Sequence, residues 1–307
     1  MLDLILWAIA FIISLIILIK ASNYFIDSAE KIGIYIKIPT VVVGATIIAI
    51  GTSLPELVSS IIAVNEGHSE IVIGVVIGSN IANISLILGI LAILAGKLKL
   101  KTEINHHILF LLISTFFLIV MILDGKFCIL NGVLGIAIFF IYFIHLGKSK
   151  QKKYTHSIKF TKCKKTVVTL LLSAFFIYLG AKYTITSIIE LSKILGIGKE
   201  VIAISVMAFG TSLPELVVSL SIIKKGNFEL AISNIVGSNI FNSLVVMGIP
   251  ALVGKLTIPE KIIYNNMPLM VFATILCAFV AYNKEITKRE GIVLVLFYIA
   301  FIGILAI

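Results

Sequence analysis

Gly51-Thr52-Ser53-Leu54-Pro55-Glu56-Leu57-Val58 recurs, residue for residue, as Gly210-Thr211-Ser212-Leu213-Pro214-Glu215-Leu216-Val217. Sliding the chain against itself by 159 residues extends the match without a gap: between Ala49 and Gly89, 19 of 41 positions are identical to their partners in 208–248. Gly78-Ser79-Asn80-Ile81 meets Gly237-Ser238-Asn239-Ile240, and Asn83 meets Asn242. Chance similarity between apolar segments would scatter over Leu, Ile and Val. Here the identities fall on Gly, Pro, Ser, Thr, Asn and Glu, so the chain is a duplication.

The rest of the sequence says what was duplicated. Of its 307 residues 60% are hydrophobic and 13% charged, about half the ~25% charged share of a soluble domain. Most of that apolar surface must face lipid. Stretches free of Asp, Glu, Lys and Arg number ten: 4–19, 38–65, 71–96, 104–123, 127–147, 166–181, 201–223, 230–254, 262–283 and 291–307, with one Glu each in the second and seventh. Most reach the ~17–25 residues that cross the hydrocarbon of a bilayer. The two shortest can extend past Lys20 and Lys182, whose stems snorkel. The first lacks the basic flank and small-residue cleavage site of a signal peptide. Cys128, Cys163 and Cys277 show no paired spacing, which argues against a disulfide framework or a zinc site. The net charge of +10 lies in short gaps between apolar runs and forms no continuous basic face, so no nucleic-acid partner is expected.

Basic residues concentrate on the cytoplasmic side of membrane proteins. The gaps after the odd-numbered spans carry 19 Lys and Arg, and the other gaps carry six. This bias puts both termini outside and the eight-lysine loop 148–165 in the cytoplasm of a cell-membrane protein. Each repeat holds five spans, an odd number, so the second copy enters the membrane upside down. The expected fold is all-α and polytopic: ten transmembrane helices as two inverted five-helix repeats, broken at the midplane. Its units are 1–150 (motif block 44–89), a short basic loop at 151–165, and 166–307 (motif block 203–248). Inverted repeats with interrupted helices in matching positions are the design of secondary transporters, with the substrate near the bilayer midplane.

Glu56 and Glu215 are the only charged residues inside the ten segments. A carboxylate at that depth costs on the order of a few kcal/mol and persists where it is partnered or used. No intramembrane Lys or Arg is available to either. Pro55 and Pro214 have no N–H, so the carbonyls of Gly51 and Gly210 lose their helical donors, and the helices should break there. Those carbonyls, the hydroxyls of Thr52, Ser53, Thr211 and Ser212, and two carboxylates form a set of hard oxygen ligands. Such a set suits Ca²⁺ or Na⁺. Asn83 and Asn242 are expected to line the same site, whereas Asn80 and Asn239 are expected to be structural, as interhelical polar glue.

These paired blocks closely resemble the two α-repeats of the cation/Ca²⁺ exchanger superfamily, specifically its Na⁺/Ca²⁺ exchanger branch in a short, prokaryotic-type form. The likeness spans the whole chain. It implies a cluster of cation sites at midplane, built from helices 2, 3, 7 and 8, with Glu56 and Glu215 as shared ligands of Ca²⁺ and Na⁺. Thr52, Ser53, Thr211 and Ser212 would line the Na⁺ sites with the backbone carbonyls of Ala49 and Ala208, and Ser79, Asn83, Ser238 and Asn242 would complete the centre. Helices 1 and 6 would slide across this core to alternate access. Two departures stand out. The gap 148–165 leaves no room for the large regulatory loop of animal exchangers, and position 242 is Asn where K⁺-dependent branches carry Asp.

The expectation is therefore a Na⁺/Ca²⁺ antiporter with transported ions and no separate cofactor, working as a monomer in lipid. With amides at 83 and 242 the fixed charge of the centre is set by the two Glu alone. More than two Na⁺ per Ca²⁺ would move net charge, and no K⁺ is called for. An H⁺-coupled or K⁺-dependent cation antiporter of the same superfamily is the alternative. A cation channel is more remote, since channels surround one axis with like-oriented repeats. An intramembrane enzyme is disfavoured: Asp3, Asp27 and Asp124 lie at span edges, and no His is repeated between the two motif blocks.

Overall fold

The computed structural model describes residues 2–36, 40–65, 67–99, 104–147, 160–195 and 212–305. It is almost wholly helical. A long helix α1 (Leu2–Tyr35) is followed by α2 (Thr40–Val43), a π-helical turn Gly44–Ile48, α3 (Ala49–Thr52) and α4 (Leu54–Asn65). Then come α5 (Glu70–Ile81), a π turn Ala82–Ile87 and α6 (Leu88–Ala95), the short strand β1 (Lys97–Lys99), α7 (Ile104–Ile122), β2 (Lys126–Phe127) and α8 (Ile129–Gly147). The second half holds α9 (Phe160–Ile194), α10 (Leu213–Lys224), α11 (Phe228–Phe241), a π turn Asn242–Val246, α12 (Gly248–Val253) and β3 (Leu256–Thr257). It closes with a π turn Ile262–Asn266, α13 (Met267–Tyr282), β4 (Glu285–Thr287) and α14 (Lys288–Leu305).

Among the described residues six helices are long and apolar enough to cross a membrane, and a seventh forms if Gly44–Thr52 and Leu54–Asn65 count as one bent span. That is fewer than the ten segments expected, for physical reasons. Helix α7 offers a shorter apolar run, His106–Ile122. Helix α10 is preceded by residues outside the described set. The first turn of α14 carries Lys288, Arg289 and Glu290. Two helices are instead longer than expected. The 34 residues of α1 and 35 of α9 reach about 50 Å at 1.5 Å per residue, beyond the hydrocarbon. Cutting segments at the first Lys or Asp misses helix that continues into the polar zone. Helix α9 also begins at Phe160, inside the stretch read as a loop.

Two central spans, α5–α6 and α11–α12, are 83% and 89% buried in their most apolar stretches, whereas the corresponding parts of α1 and α9 are 17% and 18% buried. The centre is held by backbone close approach. A Cβ at Gly237 would lie 2.6 Å from the Cα and carbonyl oxygen of Ala45, so α11 rests directly on the π turn before the break. Gly89 and Gly291 meet so tightly that a Cβ on either would reach the other's carbonyl at 2.9 and 2.7 Å. Gly248 and Gly132, related to them by the same 159-residue offset, repeat that contact at 3.0 and 2.6 Å. The rims repeat too: β1 pairs antiparallel with β4, and β2 with β3. Helices α1 and α9 lie together outside this core. A Cβ on Gly180 would stand 3.0 Å from the Leu18 backbone, and Thr184 Oγ1 donates to Ser14 Oγ at 2.9 Å.

Candidate functional site: a buried cluster of oxygen ligands

The break falls where the sequence places it. Helix α3 ends at Thr52 and α4 starts at Leu54, with a 48° bend between the two arms. Pro55 offers no N–H to Gly51, and Gly51 has no side chain. The space is filled by Phe25 of α1, whose ring would come within 2.1 Å of a Cβ at Gly51. Glu56 and Glu215 therefore each sit in the first turn of a new helix, α4 and α10. There the unpaired N–H groups and helix dipole favour negative charge.

Among the sequence-predicted residues, Ala49, Thr52, Ser53, Glu56, Ser79, Asn83, Ser212, Glu215, Ser238 and Asn242 are all buried. Ala208 and Thr211, with the carbonyl of Gly210, lie outside the described residues. The structure brings the two halves together at this point. Ser53 Oγ donates to Glu215 Oε1 at 2.8 Å, and Thr52 Oγ1 lies 3.5 Å from Ser238 Oγ. Each Ser-x-x-Glu stretch could close a local capping box. Ser53 instead reaches the glutamate of the other repeat, and Ser212 makes no side-chain cap bond. Thr52 Oγ1 also donates to the carbonyl of Ala49 at 3.2 Å, which accepts Ser53 N–H as well.

Four asparagines build a second buried wall between the repeats, and their hydrogen bonds set which way each amide points. Asn239 Nδ2 donates to the backbone carbonyl of Asn80 at 3.1 Å, so Asn239 Oδ1 is free to accept Asn83 Nδ2 at 2.9 Å. The mirror path runs through Asn80, whose Nδ2 donates to the Asn239 carbonyl at 3.4 Å and to Ser243 Oγ at 2.8 Å. Its Oδ1 accepts Asn242 Nδ2 at 3.2 Å. Both Asn83 and Asn242 thus spend their nitrogens on the other repeat and keep an acceptor oxygen unpaired. Each belongs to a π turn, where the wider backbone turn re-aims a side chain. Asn80 and Asn239, expected to be structural, hold the amides of Asn83 and Asn242 in place.

The result is a set of buried oxygens without hydrogen-bond partners: both carboxylate oxygens of Glu56, Oε2 of Glu215, Oδ1 of Asn83 and Asn242, and Oγ of Ser212. The two carboxylates also repel each other. Leaving these acceptors desolvated, on two carboxylates of which only Glu215 Oε1 receives a hydrogen bond from Ser53, is costly, and a hard cation is a guest that would relieve it. Among the described residues no cluster of three or more His, Cys, Asp and Glu is present. The donor set is two carboxylates with neutral amide and hydroxyl oxygens, which matches Ca²⁺ and Na⁺ better than a transition metal. Two buried polar residues near this core escaped the sequence argument. Ser243 supports Asn80, and Asn234 donates to Ser219 Oγ at 3.1 Å while its own Oδ1 has no partner. Neither is repeated, since their counterparts are Ile84 and Val75, so a search for duplicated polar residues passes over them.

Known proteins resemble this chain over nearly its whole length. The family model described as sodium/calcium exchanger protein matches residues 6–147 and again 165–307, one match per repeat. The sodium/calcium exchanger MaX1 of Methanosarcina acetivorans is 33% identical, over 96% of this chain and 97% of its own length. A membrane protein of Methanocaldococcus jannaschii, MJ0091, is 31% identical over 94% of each chain. Among solved structures, the sodium-calcium exchanger NCX_Mj superposes with a TM-score of 0.85 at 30% identity, covering 98% of this chain and 99% of its own.

Proposed function

This chain belongs to the sodium/calcium exchanger family, and from that premise we propose that it moves Ca²⁺ against Na⁺ across the cell membrane by alternating access. Members of this family are transporters rather than enzymes, and the ions are cargo with no separate cofactor. The observation that carries the reading is the set of buried unpartnered oxygens on Glu56, Glu215, Asn83 and Asn242, two residues from each repeat.

Ten spans in two inverted five-helix repeats, with units at 1–150 and 166–307 joined by the basic loop 151–165, is the architecture we infer. It is supported by contacts that join only loops of the same expected side. Strand β1 meets β4, and Lys225 pairs with Asp27, in gaps assigned to the cytoplasm. Strand β2 meets β3, and Thr257 N–H donates to Ser69 Oγ, in gaps assigned to the exterior. The surplus of lysines then puts both termini outside. Thr52, Ser53 and Ser212, with Thr211 and the carbonyls of Ala49 and Ala208, fit the Na⁺ sites. Ser79 and Ser238 fit beside Glu56 and Thr52.

A centre with two carboxylates carries a formal charge of −2, which one Ca²⁺ or two Na⁺ neutralise. Exchange with a third Na⁺ is electrogenic, and the amides at 83 and 242 need no K⁺. The protein works as a monomer, since the site is complete within one chain. Ca²⁺ uptake into proteoliposomes, driven separately by outward Na⁺, K⁺ and H⁺ gradients, tests this. A Na⁺ gradient alone should drive uptake, faster when the lumen is made positive, because each cycle carries one net positive charge out of it. Uptake driven by H⁺, or a requirement for K⁺, would overturn the Na⁺-coupled reading in favour of the other antiporters of the superfamily.

A further inference from the structure

Outside the cation centre, α1 and α9 form a groove of their own. The helices touch where Gly180 meets Leu18 and enclose two adjoining cavities along the exposed side of the pair. One, of about 580 Å³, lies between Tyr24, Asp27 and Lys31 of α1 and Lys165 and Thr169 of α9. The next, of about 340 Å³, continues between Ile17, Lys20 and Tyr24 and Thr169, Leu172 and Phe176. Tyr24 and Thr169 line both, so the two are one channel. The lining residues of α1 recur every three or four positions from 17 to 31, a single stripe about 20 Å long at 1.5 Å per residue.

The chemistry changes along that stripe. Ile17, Leu172 and Phe176 are exposed apolar residues in a membrane protein and form a lipid-facing slot. Lys31 and Lys165 line the larger cavity at the other end, Lys20 lines the smaller one beside Tyr24, and none of the three forms an ion pair with the described residues, whereas the one acid there, Asp27, is paired with Lys225. The groove thus presents unneutralised positive charge at a helix end and an apolar track leading into the bilayer. Basic pockets between transmembrane helices, joined to an acyl-sized slot, recognise anionic lipid headgroups. Lysine is a point-charge binder of phosphate.

We propose that this groove binds an anionic glycerophospholipid, its phosphate between Lys31 and Lys165 and an acyl chain along Ile17, Leu172 and Phe176. The lipid spans both helices of the outer pair and fastens them together at the end where protein contact gives way to cavity. It is separate from the cation centre and does not depend on which ion is exchanged.

The test is thermal unfolding of the purified full chain in detergent with added phosphatidylglycerol, phosphatidylcholine or inorganic phosphate. Phosphatidylglycerol should raise the unfolding temperature, while phosphatidylcholine and free phosphate leave it in place. Lys31→Gln/Lys165→Gln should remove more than half of that shift. Lys288→Gln/Arg289→Gln, an equal charge change at exposed positions of α14, should keep it. Leu172→Trp, which fills the slot without touching charge, should also reduce it. Retention of a Ca²⁺-induced shift in each variant shows that it is folded. Equal shifts in the groove and control variants, or equal effects of the two lipids, would overturn the site. A shift produced by phosphate alone would reduce it to an anion pocket and equally overturn the lipid assignment.

Discussion

The two central spans and the outer pair use similar amounts of apolar sequence in opposite ways. Helices α5–α6 and α11–α12 turn theirs inward and are more than four-fifths buried, while α1 and α9 are less than one-fifth buried and face lipid. Buried length is what allows polarity. Asn80, Asn83, Asn239 and Asn242 all sit on the central spans, where each can find a partner in the other repeat. The outer pair has no such cluster. It is zipped to itself by Leu18 against Gly180 and by Ser14 with Thr184, and it meets the core through contacts that include Phe25 over Gly51 and Lys225 with Asp27. A buried, polar, duplicated centre beside an apolar, mostly exposed pair is the arrangement that the proposed sliding of α1 and α9 would use.

Steric change at the centre should have the largest effect on the fold. Gly237→Val puts a side chain into the Ala45 backbone, which cannot yield as a flexible side chain would. We expect a loss of about 1–3 kcal/mol or more from overpacking, seen as a lowered unfolding temperature and poor recovery of folded protein. A stable Gly237→Val variant would show that the two repeats are not in backbone contact.

Tethering separates the two regions more sharply. In a background without native cysteines, a disulfide between Ser14→Cys and Thr184→Cys links the outer pair only to itself and should leave exchange near normal. A short bifunctional thiol reagent bridging Asp27→Cys and Lys225→Cys ties that pair to the core and should stop turnover, with reversal on cleavage. Arrest by the first tether, or normal exchange under the second, would mean that α1 and α9 do not move as a unit.

A more graded loss is expected from the asparagine wall. Asn239→Ala strands the buried Nδ2 of Asn83 and the carbonyl of Asn80, at about 1–3 kcal/mol for an unmet polar group, and frees the Asn83 amide to turn. The half-saturating Ca²⁺ concentration should rise several-fold or more. An unchanged value would assign Asn239 to packing alone. At the far end of the scale, Gly303→Val meets nothing within 4 Å on α14. Its stability should stay within about 0.5 kcal/mol of the parent, as for surface changes away from special features.

Much of this was legible in the sequence because it rests on physics that needs no coordinates. Pro55 cannot donate to Gly51 in any fold, and Glu56 and Glu215 are conspicuous where nothing else is charged. Harder to foresee were properties set by tertiary partners. The ends of α1 and α9 are invisible to a rule that stops at the first charge, because charge is tolerated once the helix leaves hydrocarbon. Ser53 looks like a local cap for Glu56, and only the opposed repeat makes Glu215 its acceptor. The π turns at Ala82–Ile87 and Asn242–Val246 follow no composition rule, yet they carry the amides of Asn83 and Asn242. Asn234 and Ser243 are unrepeated and so carried no signal.

The central claim is that Glu56 and Glu215 jointly neutralise the transported cation in a site sealed from water. Its most direct test is Na⁺-driven Ca²⁺ uptake into proteoliposomes by Glu56→Gln and Glu215→Gln, each shown to be folded by its unfolding temperature. Gln keeps the shape of the side chain and one oxygen while removing the charge, so uptake should fall to the background of protein-free vesicles in both variants. Uptake within a few-fold of the parent by either variant would contradict the account.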